Sequence, residues 1–186
     1  MFTPPVPYHL TLDDRLFLFI NYLPHTVLLD TIAVTVSGLG TGGIIWLLLA
    51  LWIFVREEHK DHWFFIPVIA AGITSWGLAE LLLKPLIARP RPGDIIGVWR
   101  IINDPVSFSF PSSHATIAFA MATVLSAYEP TFRWTFYVLA IFISLSRIYI
   151  GAHYPTDVIF GAMLGWGIGW ASLFLRRRTS KISRPR

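Results

Sequence analysis

The chain has 186 residues, 54% of them hydrophobic and only 14% charged. Its length suits one domain, 1–186, and its mean hydropathy of +0.59 excludes an ordinary soluble one. The absence of cysteine excludes disulfides, thiol catalysis and cysteine-ligated metals, and the formal charge of +4 is a balance that nucleic acid, anionic lipid or a phosphorylated substrate would each satisfy.

In chain order, the first fifteen residues lack a basic n-region and carry Asp13 and Asp14, so no cleavable signal peptide is expected. Residues 12–23 are too short to span and mix Asp13, Asp14 and Arg15 with Leu16, Phe17, Phe19 and Ile20. That pattern predicts an interfacial helix. Five apolar blocks follow, at 31–55, 64–83, 114–128, 134–150 and 157–175. Each is read as a membrane span, although the third and fourth fall short of the roughly 20 residues a spanning helix needs. The third is expected to begin within the protein. Gly161, Gly165 and Gly169 recur at intervals of four on the last block, and Gly38 and Gly42 on the first, a spacing that lets helices approach closely. The prediction is an all-α, integral-membrane bundle of about five transmembrane helices, with an N-terminal interfacial helix and a basic tail at 176–186.

An odd number of spans puts the termini on opposite sides. The side of the C-terminus would hold nine basic residues, Arg56, Lys60 and Arg133 together with Arg176, Arg177, Arg178, Lys181, Arg184 and Arg186. The other would hold six: Arg15, Lys84, Arg89, Arg91, Arg100 and Arg147. The positive-inside rule makes the C-terminus cytoplasmic. The loops 84–111 and 147–156 then face outward together, on the periplasmic or extracellular side of a bacterial inner or plasma membrane.

Three outward stretches carry the polar residues: Lys84 to Arg91-Pro92, Pro111-Ser112-Ser113-His114, and Ser146-Arg147 through His153 to Asp157. Ionisable residues at membrane depth are costly and mark function. Lys84, Arg91 and Arg147 lack a matching cluster of acids, and a phosphate would relieve their mutual repulsion. Ser112 and Ser113 stand at the start of a helical block, where free amides favour an anion. His153 and Asp157 are four residues apart, so the carboxylate can orient one ring nitrogen and leave the other to attack. His114 could protonate the leaving oxygen and later activate water.

These stretches resemble the signature of the type 2 phosphatidic acid phosphatase superfamily: Lys, six residues, Arg-Pro; Pro-Ser-Gly-His; and Ser-Arg, five residues, His, three residues, Asp. Lys84 to Pro92 fits the first and Ser146 to Asp157 the third. The second departs, with Ser113 where Gly is usual. The motif core runs from 84 to 157. The resemblance implies that Lys84, Arg91, Ser112 and Arg147 bind phosphate, and Ser113 is expected to keep its amide for the same role. It implies His114 as general acid, His153 as nucleophile and Asp157 as its partner, with no metal or other cofactor. The expected activity is a lipid phosphatase acting through a phosphohistidine, with a lipid phosphate and the bilayer as partners and no nucleic acid. Polyprenyl (undecaprenyl) diphosphate is the leading substrate, ahead of phosphatidylglycerophosphate, phosphatidate and lipid A 1-phosphate.

Other readings stay open at this point. His114, His153 and Asp157 could ligate a cation, which the basic residues oppose. An anion channel or carrier would use the same cations but leaves the two histidines unexplained. Glu80 either pairs with Lys84 at i,i+4 or lines the bundle. Arg89 and Arg100 either guide an anionic head group or are simple loop charges. His59 and His62 read as a solvated loop. Ile95, Ile96, Val98 and Trp99 either dip into the interface or cover the bundle. The glycine stripes either pack inside the bundle or form a dimer face, and the oligomeric state stays open.

Overall fold

The computed structural model describes residues 10–56, 63–95, 98, 99, 101 and 107–182. Among these residues the chain is helical and has no β-strand.

Helix α1 (Leu12–Asn21) begins at a capping box. The Thr11 hydroxyl accepts from the Asp14 amide, and the Asp14 carboxylate accepts from the Thr11 amide at 2.9 Å. Phe17 and Asn21 are buried, whereas Leu12, Leu16 and Phe19 are exposed. One face therefore rests on the bundle and an apolar edge points outward, as in an interfacial helix.

Helices α2 (Val27–Gly40) and α3 (Ile44–Arg56) form one rod, Val27–Arg56, long and apolar enough to cross a bilayer. It breaks at Thr41–Gly43, where Gly42 and Gly43 take φ of 62° and 73°. Glycine reaches that left-handed region without a Cβ clash. The block 31–55, read as a span, lies within this rod and runs through the break.

Helix α4 (Phe65–Trp76) passes through a π-helical segment, Gly77–Leu83, into α5 (Lys84–Ile87), and Phe65–Ile87 is a second rod of spanning length. Such π segments are rare and frequent at functional sites; this one carries Glu80. Ala88 ends the rod at φ 49°, ψ 36°, an uncommon conformation for a residue with a Cβ. The short α6 (Pro92–Ile95) follows.

Helices α7 (Ser113–Tyr128), α8 (Arg133–Tyr149) and α9 (Pro155–Ile182) complete the bundle. Within α9, Pro155–Arg176 is the third rod that meets the length and apolarity of a span. α7 and α8 have 16 and 17 residues, about 25 Å of helix against roughly 30 Å of hydrocarbon. α7 can be short because it lies inside the bundle, packed on α4, α8 and α9. Its N-terminus starts within the protein, with Ser112 and Ser113 both buried.

The glycines of α9 create that packing. A Cβ at Gly165 would stand 2.1 Å from the Thr116 carbonyl oxygen, and those at Gly161 and Gly169 would meet α7 carbonyls at 2.7 and 2.8 Å. They therefore serve contact inside the bundle. Gly38 and Gly42 do not, since among the described residues nothing lies within 4 Å of a Cβ at either. Gly40 takes that role: its Cβ would come 2.6 Å from Ile143 and 3.3 Å from the His114 ring.

The outer surface is apolar where a soluble bundle would be charged. Leu28, Ile32, Leu48, Ile73, Phe142 and Met163 are all exposed. Trp63 and Trp134 project at the starts of α4 and α8, positions suited to a membrane interface. The expected tail at 176–186 begins as a continuation of α9 to Ile182. His59, Lys60, His62, Ile96, Arg100, Arg184 and Arg186 lie outside the described residues.

Candidate active site

Three chain segments meet at one end of the bundle: the end of the Phe65–Ile87 rod with the loop after it, the buried start of α7, and the α8–α9 turn. The π segment and α5 place Glu80 and Lys84 one turn apart, and Lys84 Nζ donates to Glu80 Oε1 at 2.7 Å and to Ser107 Oγ at 3.2 Å. Ser113 Oγ donates to the same Glu80 oxygen at 2.6 Å. Glu80 therefore both pairs with Lys84 and ties the α7 start to it. Of the two readings of Glu80, the i,i+4 pair with Lys84 is the one the structure shows, so the cations here have an acid among them.

Arg91 is buried and held by carbonyls. It donates to Ser107 O at 2.8 Å, Ala152 O at 2.6 Å and Phe108 O at 3.3 Å, and to Ser107 Oγ at 3.1 Å. The same guanidinium lies 3.5 Å from His153 Nε2. Arg147, buried in the last turn of α8, donates to Ser37 Oγ at 2.5 Å. These contacts fix the position and orientation of both guanidinium groups beside His153 and the start of α7.

Ser112 is the N-cap of α7, but its amide donates to the Asp157 carbonyl at 3.0 Å. Its Oγ is buried and has no hydrogen-bond partner among the described residues. The serine thus offers a hydroxyl, and its amide is already used to join α7 to α9. The amides of Ser113, His114 and Ala115 lie in the first helical turn, where no earlier carbonyl can receive them. His114 is partly exposed, 3.4 Å from Thr41 Oγ1 at the α2–α3 break.

His153 is 2% exposed in the turn between α8 and α9, its amide donating to Arg147 O. Its Nδ1 stands 3.6 Å from Asp157 Oδ2, just beyond hydrogen-bonding distance. Burial, opposed by Asp157 and reinforced by the Arg91 and Arg147 cations, holds its pKa down to about 4. The imidazole is neutral at pH 7, with Nε2 on the Arg91 side. Asp157, fully buried, is held independently: Oδ2 accepts from the Tyr154 amide at 2.9 Å and from Ser109 Oγ, and Oδ1 accepts from Arg89 at 2.6 Å.

The structure thus gathers Lys84, Arg91, Ser112, Ser113, His114, Arg147, His153 and Asp157 at one end of the bundle. It also adds residues that sequence reasoning missed. Ser107 and Ser109 sit in a loop without periodicity, and Asp13 contacts Arg89 from far along the chain at 2.6 Å. Arg89 is corrected from a head-group guide or loop charge to a ligand of Asp157. Trp99 and Val98 lie on the bundle: Trp99 stacks on His25 and exchanges hydrogen bonds with Asn21, and Val98 packs near Phe17.

A buried histidine beside an aspartate, with guanidinium groups and a helix N-terminus, inside an apolar bundle, is an arrangement suited to phosphoryl transfer at a membrane. The model of the PAP2 superfamily matches residues 63–180. The chain belongs to that superfamily, in its membrane lipid phosphatase branch. It is 32% identical to "Undecaprenyl-diphosphatase BcrC" of Bacillus subtilis, over 87% of this chain and 80% of the relative. It is also 32% identical to a "Lipid A 4'-phosphatase" of Bacteroides thetaiotaomicron, over 90% and 78%. Among solved structures it resembles LpxE of Aquifex aeolicus, with a TM-score of 0.72, 30% identity, and coverage of 90% of this chain and 98% of that one.

Proposed function

We propose that this chain hydrolyses polyprenyl diphosphate, releasing inorganic phosphate through a phosphohistidine on His153. The observation that carries the reading is the His153 environment: a buried imidazole with Asp157 beside Nδ1 and Arg91 beside Nε2. With its proton on Nδ1, toward Asp157, Nε2 keeps a lone pair for the terminal phosphorus.

Attack forms the N–P bond and breaks the bond from phosphorus to the bridging oxygen. His114 gives that oxygen its proton, so the polyprenyl monophosphate leaves neutralised at the breaking bond. Water then attacks the phosphohistidine, His114 takes the water's proton, and His153 and inorganic phosphate are regenerated. Arg91, Arg147, Lys84, the Ser112 hydroxyl and the α7 amides from Ser113 on stabilise the equatorial oxygens. The cations beside His153 oppose a metal at the same place, so the reaction is expected to be metal-independent.

A lipid chain would have an apolar place to lie near this centre. An apolar cavity of about 290 Å³ opens between α3, α4 and α7, lined by Gly43, Leu47, Val68, Gly72, Ile117 and Met121. Ile117 lies one helical turn along α7 from His114. The undecaprenyl relative supports the substrate class; the lipid A relative makes lipid A the main competitor. In this reading residues 1–186 act as one membrane domain, with the site on the outer face of a bacterial inner or plasma membrane and the C-terminus in the cytoplasm.

The test is phosphate release from undecaprenyl diphosphate by detergent-purified protein in excess EDTA, wild type against His153→Ala. Wild-type release with a loss of at least about 10³-fold in the variant is expected. Release that needs added metal, or that survives in His153→Ala, would overturn the mechanism. Faster cleavage of lipid A or phosphatidylglycerophosphate would overturn the substrate.

A further inference from the structure

Asp157 is a buried carboxylate next to a neutral imidazole, so its charge needs a partner elsewhere. That partner is Arg89. Its Nη1 donates to Asp157 Oδ1 at 2.6 Å and to Thr156 Oγ1 at 2.7 Å. Its Nη2 donates to Asp13 Oδ2 at 2.6 Å. The guanidinium carbon lies 4.0 Å over the Tyr154 ring. Asp13 belongs to the interfacial helix α1, and it also accepts from the Thr156 amide at 3.0 Å and the Thr156 hydroxyl at 2.6 Å. One carboxylate of α1 thus grips both Arg89 and the first turn of α9. The chain reaches Arg89 through the left-handed Ala88, whose unfavourable conformation turns the backbone off the end of α5. The Arg89 carbonyl then receives the Ser109 amide at 2.8 Å, and the Ser109 hydroxyl holds the other Asp157 oxygen.

We propose that Arg89 and Asp13 are positioning residues: Asp13 fixes the Arg89 fork, and Arg89 fixes the charge and orientation of Asp157, which in turn presents its second oxygen to His153. The interfacial helix α1 is therefore part of the catalytic apparatus as well as a surface element. Its outward residues Leu12, Leu16 and Phe19 seat in the bilayer interface, so the far end of this relay is anchored in the membrane surface. Burial disfavours the Arg89 charge, but Asp13 and Asp157 outweigh it and hold the guanidinium above its ordinary range, consistent with a fixed structural cation.

This inference rests on His153 as the nucleophile. Wild type and His153→Ala on undecaprenyl diphosphate test that reading alone, and Arg89→Gln, Arg89→Lys, Asp13→Asn and the Arg89→Gln/Asp13→Asn double variant test the relay in the same assay. Arg89→Gln is expected to lower kcat by about 10- to 100-fold, the range for groups that orient a functional side chain, with KM within about twofold. Arg89→Lys should recover part of the loss, since it keeps the charge at Asp157 but cannot bridge both acids. Asp13→Asn should lose less than Arg89→Gln, and the double variant should be no worse than Arg89→Gln, because Asp13 acts through Arg89. Unchanged kcat in Arg89→Gln, a loss confined to KM, or losses that multiply in the double variant would overturn the relay while leaving the nucleophile reading intact. If Arg89→Gln does not yield folded protein, Asp13→Asn decides: kcat falls at constant KM, or the relay is wrong.

Discussion

His153 shows how burial and charge act on one side chain. Its folded pKa, about 4, lies below the ordinary histidine value near 6.5, so the folded state binds fewer protons than the unfolded one between those values. Stability from this group is complete above about pH 6.5 and is lost as pH falls toward 4. The full loss is on the order of 3 kcal/mol. Thermal unfolding in detergent at pH 7.5 and pH 4.5 should show a smaller melting-temperature drop for His153→Gln than for wild type. Equal drops would mean that His153 is not held neutral by the fold. The pair His153–Asp157 was legible in the sequence because four residues on one turn bring the two together. Arg89, Asp13 and Ser109 were not, because their meeting depends on how α1 and the loop before α7 dock.

Among the described elements, α7 and α9 pack extensively on each other, and Gly165 lets their backbones approach. A Cβ there would meet the Thr116 backbone, which cannot rotate away. Gly165→Ala is expected to cost about 1–3 kcal/mol, the usual range for overpacking a filled interface. Gly38→Ala, where no described residue approaches, should be near neutral. Melting temperatures of the two variants check the contrast, and similar values for both would sink it. The interval of four announced close packing equally at both places, and only the tertiary arrangement distinguished them. The α2–α3 break was only partly visible: Gly40, Gly42 and Gly43 cluster around Thr41 inside an otherwise apolar block, but the positive φ of Gly42 and Gly43 and the approach of Thr41 to His114 are set by packing.

At the scale of the whole molecule, the proposed orientation can be read with added cysteines, since the chain has none. Thr131 is exposed in the α7–α8 turn and Leu86 is exposed near the other end of the bundle. Thr131→Cys should react with a membrane-impermeant maleimide only after the cells are opened, whereas Leu86→Cys should react in intact cells. The opposite pattern would invert the positive-inside assignment.

What the sequence determined by itself was the solvent and the phosphatase family. Apolar blocks separated by charged turns can fold only where lipid or other helices cover them, and Lys84 to Pro92, Ser112 to His114 and Arg147 to Asp157 keep their spacing because each motif lies on one local turn or helix end. The tertiary structure decided what those motifs touch. It gave Lys84 to Glu80, used the Ser112 amide on Asp157, and left the Ser112 hydroxyl unpaired among the described residues. It also brought Asp13 to Arg89. These are contacts between segments distant in the chain, and their geometry follows from helix packing that no local pattern encodes.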